Sequence, residues 1–147
     1  MDLIKSQQSR IEQALLFAIE AHAGQVYRGY AGREDEPYIM HVLRVAANVH
    51  RDAVIVAILH DCLEDANRLP DWLTPEEYDA VKLVSRDKER VSYEEYILNI
   101  ANAPGPSGRL ARLVKPSDPT DHLVNGPPPS LRPRYERAFM LLRLSAQ

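Results

Sequence analysis

Four ionisable residues follow directly on an apolar run in the middle of the chain. The stretch AVIVAIL is continued by His60 and Asp61, and Glu64 and Asp65 come one turn later. Polar groups at the end of a buried helix cost free energy unless a partner satisfies them. Residues three and four apart share a helix face, so His60 is expected beside Glu64, and Asp61 beside both acidic residues. An imidazole among carboxylates is a ligand set for a divalent transition metal.

Two adjacent ligands do not complete a metal shell, and further candidates lie elsewhere in the chain. His41 follows PYIM at the start of another predicted helix, and Asp118 lies far downstream in VKPSD. The alternative is a structural His–Asp pair, since this dipeptide alone has little specificity. Against that alternative, acidic residues at the C-terminus of a helix oppose its dipole, and such local conflicts are typical of functional sites.

Helical periodicity predicts the segments that position these residues. Apolar spacing indicates a helix over residues 9–23, with Ser9 as its N-cap, and another over residues 39–49. We interpret DAVIVAILHDCLEDA, residues 52–66, as one central helix that Asp52 caps. The glycine-bearing segment between the first two helices is predicted to be a loop.

Two capping boxes mark the starts of the next helices, Thr74 with Glu77 and Ser92 with Glu95. Beyond the break APGPSG, the stretch GRLARLVKPSD indicates a short helix or turn. NGPPPSLRP indicates a proline-rich loop, and RYERAFMLLRL a closing amphipathic helix. Because strand alternation is lacking, we predict an all-α fold, a compact single-domain bundle of about six or seven helices over residues 1–147.

The composition is that of an ordinary globular protein. With 147 residues, 45% hydrophobic and 27% charged, the chain suits one domain. A formal net charge of −3 gives no electrostatic reason to expect a nucleic acid or a membrane as partner. The single cysteine, Cys62, and the lack of an apolar leader at the N-terminus predict a cytoplasmic protein. The sequence leaves the oligomeric state open.

Four blocks in a fixed order carry a resemblance to a known family. AHAGQVYRG, EPYIMHVLRVA, AVIVAILHDCLEDA and RLVKPSD lie between roughly residues 10 and 125, and RPRYERAFMLL follows them. In this order and spacing they resemble the HD-domain metal-dependent phosphohydrolases, specifically the hydrolase domain of the RelA/SpoT family and the small stand-alone alarmone hydrolases. The resemblance implies a helical HD domain that holds one divalent metal, most commonly Mn²⁺.

The resemblance also implies roles for individual residues. The implied metal ligands are His41, His60, Asp61 and Asp118. Glu64 and Asp65 match an acidic pair that orients and activates the attacking water. The implied partner is a small phosphorylated nucleotide, guanosine tetraphosphate or pentaphosphate (ppGpp or pppGpp), which would lose its 3′-pyrophosphate.

A phosphorylated substrate requires cations to neutralise its charge. We expect Arg28 and Arg44 to bind the substrate, and Lys115 as a weaker candidate. Arg28 lies in the glycine-bearing loop, Arg44 follows His41 by one turn, and Lys115 precedes Asp118 by three residues.

The last block departs from the family pattern, which reads like KLAD. Here prolines flank Asp118 in KPSDPTDHLVN. Because proline disrupts a helix interior, we expect a helix to restart at this point, with Ser117 or Asp118 as its N-cap. An Asp118 used for capping is a poorer metal ligand, and Asp121 or His122 would be the alternatives.

Three functions therefore remain open. The first is a manganese-dependent ppGpp 3′-pyrophosphohydrolase of the stringent response. The second is an HD phosphohydrolase acting on another nucleotide or phosphoester, because the loop before PYIMH looks longer than in the alarmone hydrolases. The third is a non-enzymatic helical binding module without metal.

Overall fold

The computed structural model describes residues 3–145, and α-helices dominate it. The helices are α1 (Leu3–Ala21), α2 (Ile39–Ala47), α3 (Val54–Leu59), α4 (Cys62–Ala66), α5 (Pro75–Leu83), α6 (Tyr93–Asn102), α7 (Gly105–Val114), α8 (Ser117–Val124) and α9 (Arg132–Ser145). Short 3₁₀ turns cover Arg51–Ala53 and Pro129–Leu131. The predicted all-α fold is confirmed.

The core lies around α3, whose residues from Ile55 to Leu59 are all buried. A helix that is apolar on every face must be covered by neighbours, and α1, α2 and α5 pack around it. A second hydrophobic cluster joins α6 to α9. Helix α7 connects the two clusters, since Val114 belongs to the first and Ala111 to the second.

The two capping boxes form as predicted. The Thr74 hydroxyl accepts the backbone N–H of Glu77, whose carboxylate accepts the N–H of Thr74 in return. Ser92 and Glu95 repeat the arrangement at the start of α6. Each box satisfies two backbone donors that the first turn of a helix would leave unpaired.

The predicted central helix is wrong in one respect, because it is interrupted at His60 and Asp61. Helix α3 ends at Leu59 and α4 begins at Cys62. Asp61 has φ −104° and ψ −3°, close to the sparsely populated bridge region where active-site residues are often found. Asp52 does not cap α3 either, since the N-cap position is Ala53 and has no side-chain cap.

The structure changes three further boundaries. Helix α1 begins at Leu3, so Ser9 lies inside it and is not its N-cap. The predicted loop before α2 contains a small antiparallel sheet of β1 (Val26–Tyr27) and β2 (Glu36–Pro37). Helix α7 begins at Gly105, within the predicted break APGPSG. A proline is tolerated in the first helical turn because the backbone N–H that it lacks would have no intrahelical acceptor there.

A helix restarts before Asp118 as predicted, but the expected capping role is wrong. Pro116 occupies the N-cap position of α8 and provides no side-chain cap, so neither Ser117 nor Asp118 caps the helix. Pro119 is tolerated in the first turn, where backbone N–H groups have no intrahelical acceptor. The Asp118 carboxylate is therefore available for other contacts.

No helix within residues 3–145 is long and apolar enough to cross a bilayer.

Candidate metal centre

Three parts of the fold bring the predicted ligands together. Helix α2 carries His41, the break between α3 and α4 carries His60 and Asp61, and α8 carries Asp118. His41, His60 and Asp118 each offer an atom within 4.8 Å of the others. The Asp61 Oδ2 atom lies 2.9 Å from His60 Nε2 and 3.6 Å from His41 Nε2.

The hydrogen bonds of both imidazoles leave one nitrogen of each ring facing this cluster. His41 Nδ1 lies 2.7 Å from a carboxylate oxygen of Asp121, and His60 Nδ1 lies 2.6 Å from the carbonyl of Ala57. Since these oxygens only accept, the Nδ1 atoms carry the protons. In the neutral form in which a histidine binds a metal, both Nε2 atoms would then present lone pairs to a cation. These two atoms are buried and have no hydrogen-bond partner among the described residues.

The donor set fits a divalent transition cation. Two orphaned imidazole nitrogens and two carboxylates converge, and buried polar atoms without partners require an explanation. Burial alone would raise the pKa of the Asp61 carboxyl, but His60 and His41 outweigh it and hold the pKa well below the usual range. Burial likewise opposes ionisation of Asp118, and Lys115 with nearby histidines keeps its pKa low. Both carboxylates are thus ionised and ready to ligate.

Asp121 holds His41 in place, and the sequence indicated it only as an alternative ligand. Its Oδ2 atom accepts from His41 Nδ1, and its Oδ1 atom lies 2.6 Å from Arg44 Nε. Arg44 also pairs with Glu36 at 2.5 Å. A carboxylate behind a ligating histidine fixes the ring and raises its basicity. Arg44, which was expected to bind substrate, therefore forms ion pairs with the carboxylates of Asp121 and Glu36.

The acidic pair lies at the rim of a cavity of about 240 Å³ beside the cluster. Glu64 accepts the backbone N–H of Arg86, and Asp65 accepts the side-chain amide of Gln25 at 3.0 Å. Partial desolvation raises the pKa of both carboxyl groups, and the charge of Asp61 raises them further. The pKa values of Glu64 and Asp65 are thus raised, whereas those of Asp61 and Asp118 in the cluster are lowered.

Cations and aromatic rings line the same cavity. Its basic residues are Arg86, Lys88, Lys115 and Arg134, and its aromatic residues are Tyr38, Tyr93, Tyr96 and Tyr135. The guanidinium groups of Arg86 and Arg134 lie 5.6 Å and 4.8 Å from the ring centre of Tyr93. Arg86, Lys88 and Arg134 take part in none of the ion pairs found within residues 3–145. Asp61, Glu64, Asp65 and Asp118 also line the cavity, so it combines carboxylates with three cations that are available to an anion.

Lys115 and Arg28, the other two cations expected to bind substrate, have different surroundings. The Lys115 ammonium is buried and lies 2.6 Å from Asp118 Oδ2, so it belongs to the cluster wall. Arg28 is exposed and pairs with Asp35 at 3.1 Å. It lines a second cavity of about 210 Å³, which shares Tyr38 and Tyr135 with the first.

Tyr38 and His22, which belong to the first two sequence blocks, contact residues in or next to the cluster. Tyr38 donates its hydroxyl to Asp61 Oδ2 at 2.5 Å, and burial with the nearby carboxylates raises the pKa of this phenol. His22 is buried, with Nδ1 2.8 Å from Gln25 and Nε2 3.8 Å from Cys62. Burial raises the pKa of the Cys62 thiol to about 12, so this cysteine is protonated at neutral pH.

Sequence reasoning missed the cavity cations Arg86, Lys88 and Arg134, because charged residues outside a recognised motif resemble solvated surface. It indicated His122 only as an alternative metal ligand to Asp118. The spacing of Asp118, Asp121 and His122 could have predicted that these side chains lie side by side, since residues three and four apart share a helix face. His122 Nε2 lies 3.3 Å from Asp118 Oδ1 in the structure.

Among solved structures, the chain is similar to one that covers nearly its whole length. No protein-family model matches the chain, and no curated protein does. A solved structure described as a metazoan ortholog of SpoT, which hydrolyzes ppGpp and plays a role in starvation responses, is similar with a TM-score of 0.67. The match covers 92% of this chain and 82% of that chain at 23% sequence identity. The chain therefore has the all-α HD-domain fold that the sequence resemblance predicts.

Proposed function

We propose that this protein is a metal-dependent phosphohydrolase that removes the 3′-pyrophosphate of ppGpp or pppGpp. The observation that carries the proposal is the pair of buried Nε2 atoms of His41 and His60, which have no hydrogen-bond partner within residues 3–145 and face Asp61 and Asp118. A solved protein of the same fold is described as hydrolysing ppGpp, which supports the substrate class.

The four residues His41, His60, Asp61 and Asp118 would hold a divalent cation, with Mn²⁺ as our first choice. Such a cation supplies Lewis acidity, which makes water more acidic and polarises a phosphoryl oxygen. Asp61 is held for ligation by the Tyr38 hydroxyl, and Asp118 by the Lys115 ammonium. His41 is oriented by Asp121, and His60 by the Ala57 carbonyl.

Glu64 and Asp65 are the proposed bases. A group that accepts a proton from water works best with a pKa closer to the operating pH than an ordinary carboxyl has. The raised pKa values of these two carboxyl groups fit that role, whereas the low values of Asp61 and Asp118 fit ligation. This division of carboxylates by environment is the usual way to separate their roles.

The cavity cations would bind the phosphates. Arg86, Lys88 and Arg134 provide positive charge and form no ion pair with a carboxylate in the described part of the chain. Phosphoryl transfer depends mainly on positioning and charge neutralisation. Water would attack the phosphorus next to the ribose. The ribose O3′–phosphorus bond would break, the O3′ atom would take a proton, and pyrophosphate would leave.

A substrate panel tests this proposal. Phosphate and pyrophosphate release are measured with added Mn²⁺ from ppGpp, common nucleoside mono- and triphosphates, and an aryl phosphate. We expect pyrophosphate from ppGpp alone and loss of activity with a chelator. Glu64→Gln should remove turnover, whereas Glu89→Gln, at an exposed position outside the cavity, should not. Activity only on other substrates would refute the ppGpp assignment but keep the hydrolase. No hydrolysis and no bound metal would favour a non-enzymatic module.

A further inference from the structure

His122 lies next to the proposed ligand Asp118 and has defined contacts at both ring nitrogens. One turn of α8 separates the two residues, and His122 Nε2 lies 3.3 Å from Asp118 Oδ1. On the other side, His122 Nδ1 lies 2.9 Å from the hydroxyl of Tyr27, which comes from β1. A contact between segments 95 residues apart along the chain is formed only by the tertiary fold.

Two tyrosine rings fix the plane of the His122 imidazole. The Tyr27 ring is stacked on it with centres 5.5 Å apart and an interplanar angle of 17°. The Tyr135 ring is also stacked, at 4.6 Å and 9°. The imidazole therefore cannot rotate freely, and its nitrogens keep the directions that the two polar contacts define.

The chemistry of the partners assigns the proton positions. A carboxylate only accepts hydrogen bonds, so the nitrogen that faces Asp118 must carry a proton. In the neutral ring the other nitrogen then accepts, and the Tyr27 hydroxyl donates to it. Asp118 Oδ2 accepts from Lys115 at 2.6 Å, so His122 restrains the opposite oxygen, which also faces His41 Nε2 at 3.2 Å.

We propose that His122, held by the Tyr27 hydroxyl, is a positioning residue that fixes the Asp118 carboxylate for metal binding. The inference rests on the proposed metal site and extends it to Tyr27 and to His122, which the sequence indicated only as an alternative ligand. Partners that orient a ligating side chain typically change metal affinity 10- to 100-fold when they are removed.

Metal titration of the purified full chain tests this inference. Calorimetry with Mn²⁺ at constant pH is compared for wild type, His122→Phe, His122→Gln and Tyr27→Phe. His122→Phe keeps an aromatic ring against Tyr27 and Tyr135 but loses both nitrogens, and we expect 10- to 100-fold weaker binding. Tyr27→Phe loses only the hydroxyl and should weaken binding in the same direction by less.

The matched controls separate positioning from folding. His122→Gln retains an N–H donor that reaches toward Asp118, so it should recover most of the lost affinity. His50→Phe is the same substitution at a half-exposed histidine paired with Asp52, and it should bind Mn²⁺ like wild type. Circular dichroism of each metal-free variant verifies folding, and Tyr27→Phe decides the question if His122→Phe does not fold.

Wild-type affinity in both His122→Phe and Tyr27→Phe would overturn the inference. Failure of His122→Gln to bind better than His122→Phe would also overturn it. If wild type binds no Mn²⁺, the metal site itself is wrong, and the inference falls with it. If wild type binds Mn²⁺ but does not hydrolyse ppGpp, only the substrate assignment fails.

Discussion

Lys115 and Asp118 form a buried ion pair, and replacing Lys115 by methionine should destabilise the metal-free protein strongly. Only 6% of the Lys115 side chain and 12% of the Asp118 side chain are exposed, and their charged atoms are 2.6 Å apart. Breaking such a pair on one side leaves an uncompensated buried charge and costs about 3–5 kcal/mol. Methionine keeps most of the side-chain length, so the loss reports mainly on the charge.

Urea unfolding in the presence of a chelator measures this effect. With a urea dependence of about 2 kcal/mol per molar, a loss of about 4 kcal/mol lowers the midpoint by about 2 M. Arg137→Met is the matched control, since Arg137 pairs with Glu94 at the surface, where ion pairs contribute little. Its midpoint should match that of wild type.

A double-mutant cycle measures the interaction free energy between Lys115 and Asp118. Asp118→Asn removes the charge that Lys115 neutralises, so the double variant should be more stable than the sum of the single effects predicts. Additive effects, or a Lys115→Met midpoint equal to that of Arg137→Met, would refute the reasoning that burial makes this ion pair essential.

Three further predictions concern the site and its surroundings. Asp121→Asn should weaken Mn²⁺ binding 10- to 100-fold, because the buried carboxylate orients His41, whereas the exposed Asp71→Asn should not. Asp61→Ala should abolish both bound metal and hydrolysis, while Glu64→Ala should keep metal and lose turnover. Burial raises the pKa of Tyr135 to about 12. The native protein thus keeps a proton that the unfolded chain releases near pH 10, so stability falls as pH rises from about 10 toward 12.

Each of these predictions has a clear contradicting result. Equal Mn²⁺ affinities of Asp121→Asn and wild type would remove Asp121 from the support of the site. Normal metal content in Asp61→Ala would exclude that residue as a ligand, and wild-type turnover in Glu64→Ala would exclude it as a base. Tyrosine ionisation followed by absorbance at 295 nm should be shifted to higher pH in the native protein, and Tyr135→Phe should reduce this shift. Coinciding native and urea-unfolded curves would refute the pH argument.

Most of the helices, and the residues that form the cluster, could be predicted from the amino-acid sequence. Capping boxes at Thr74 and Ser92 fixed two helix starts, because they depend only on residues three apart in the chain. The apolar run that precedes His60 indicated the buried helix α3. The four ordered sequence blocks indicated the HD-domain fold, since together they combine several local patterns that are weak individually.

The side-chain contacts of the site could not be predicted from the sequence, because they depend on tertiary packing. Asp118 faces the cluster instead of capping α8, and this depends on packing of α8 against α2. Arg44 lies behind the cluster because Asp121, 77 residues later, accepts from it. The His122 contact with Tyr27 spans 95 residues. Local patterns contain no information about such distant partners, because these contacts depend on how the helices pack.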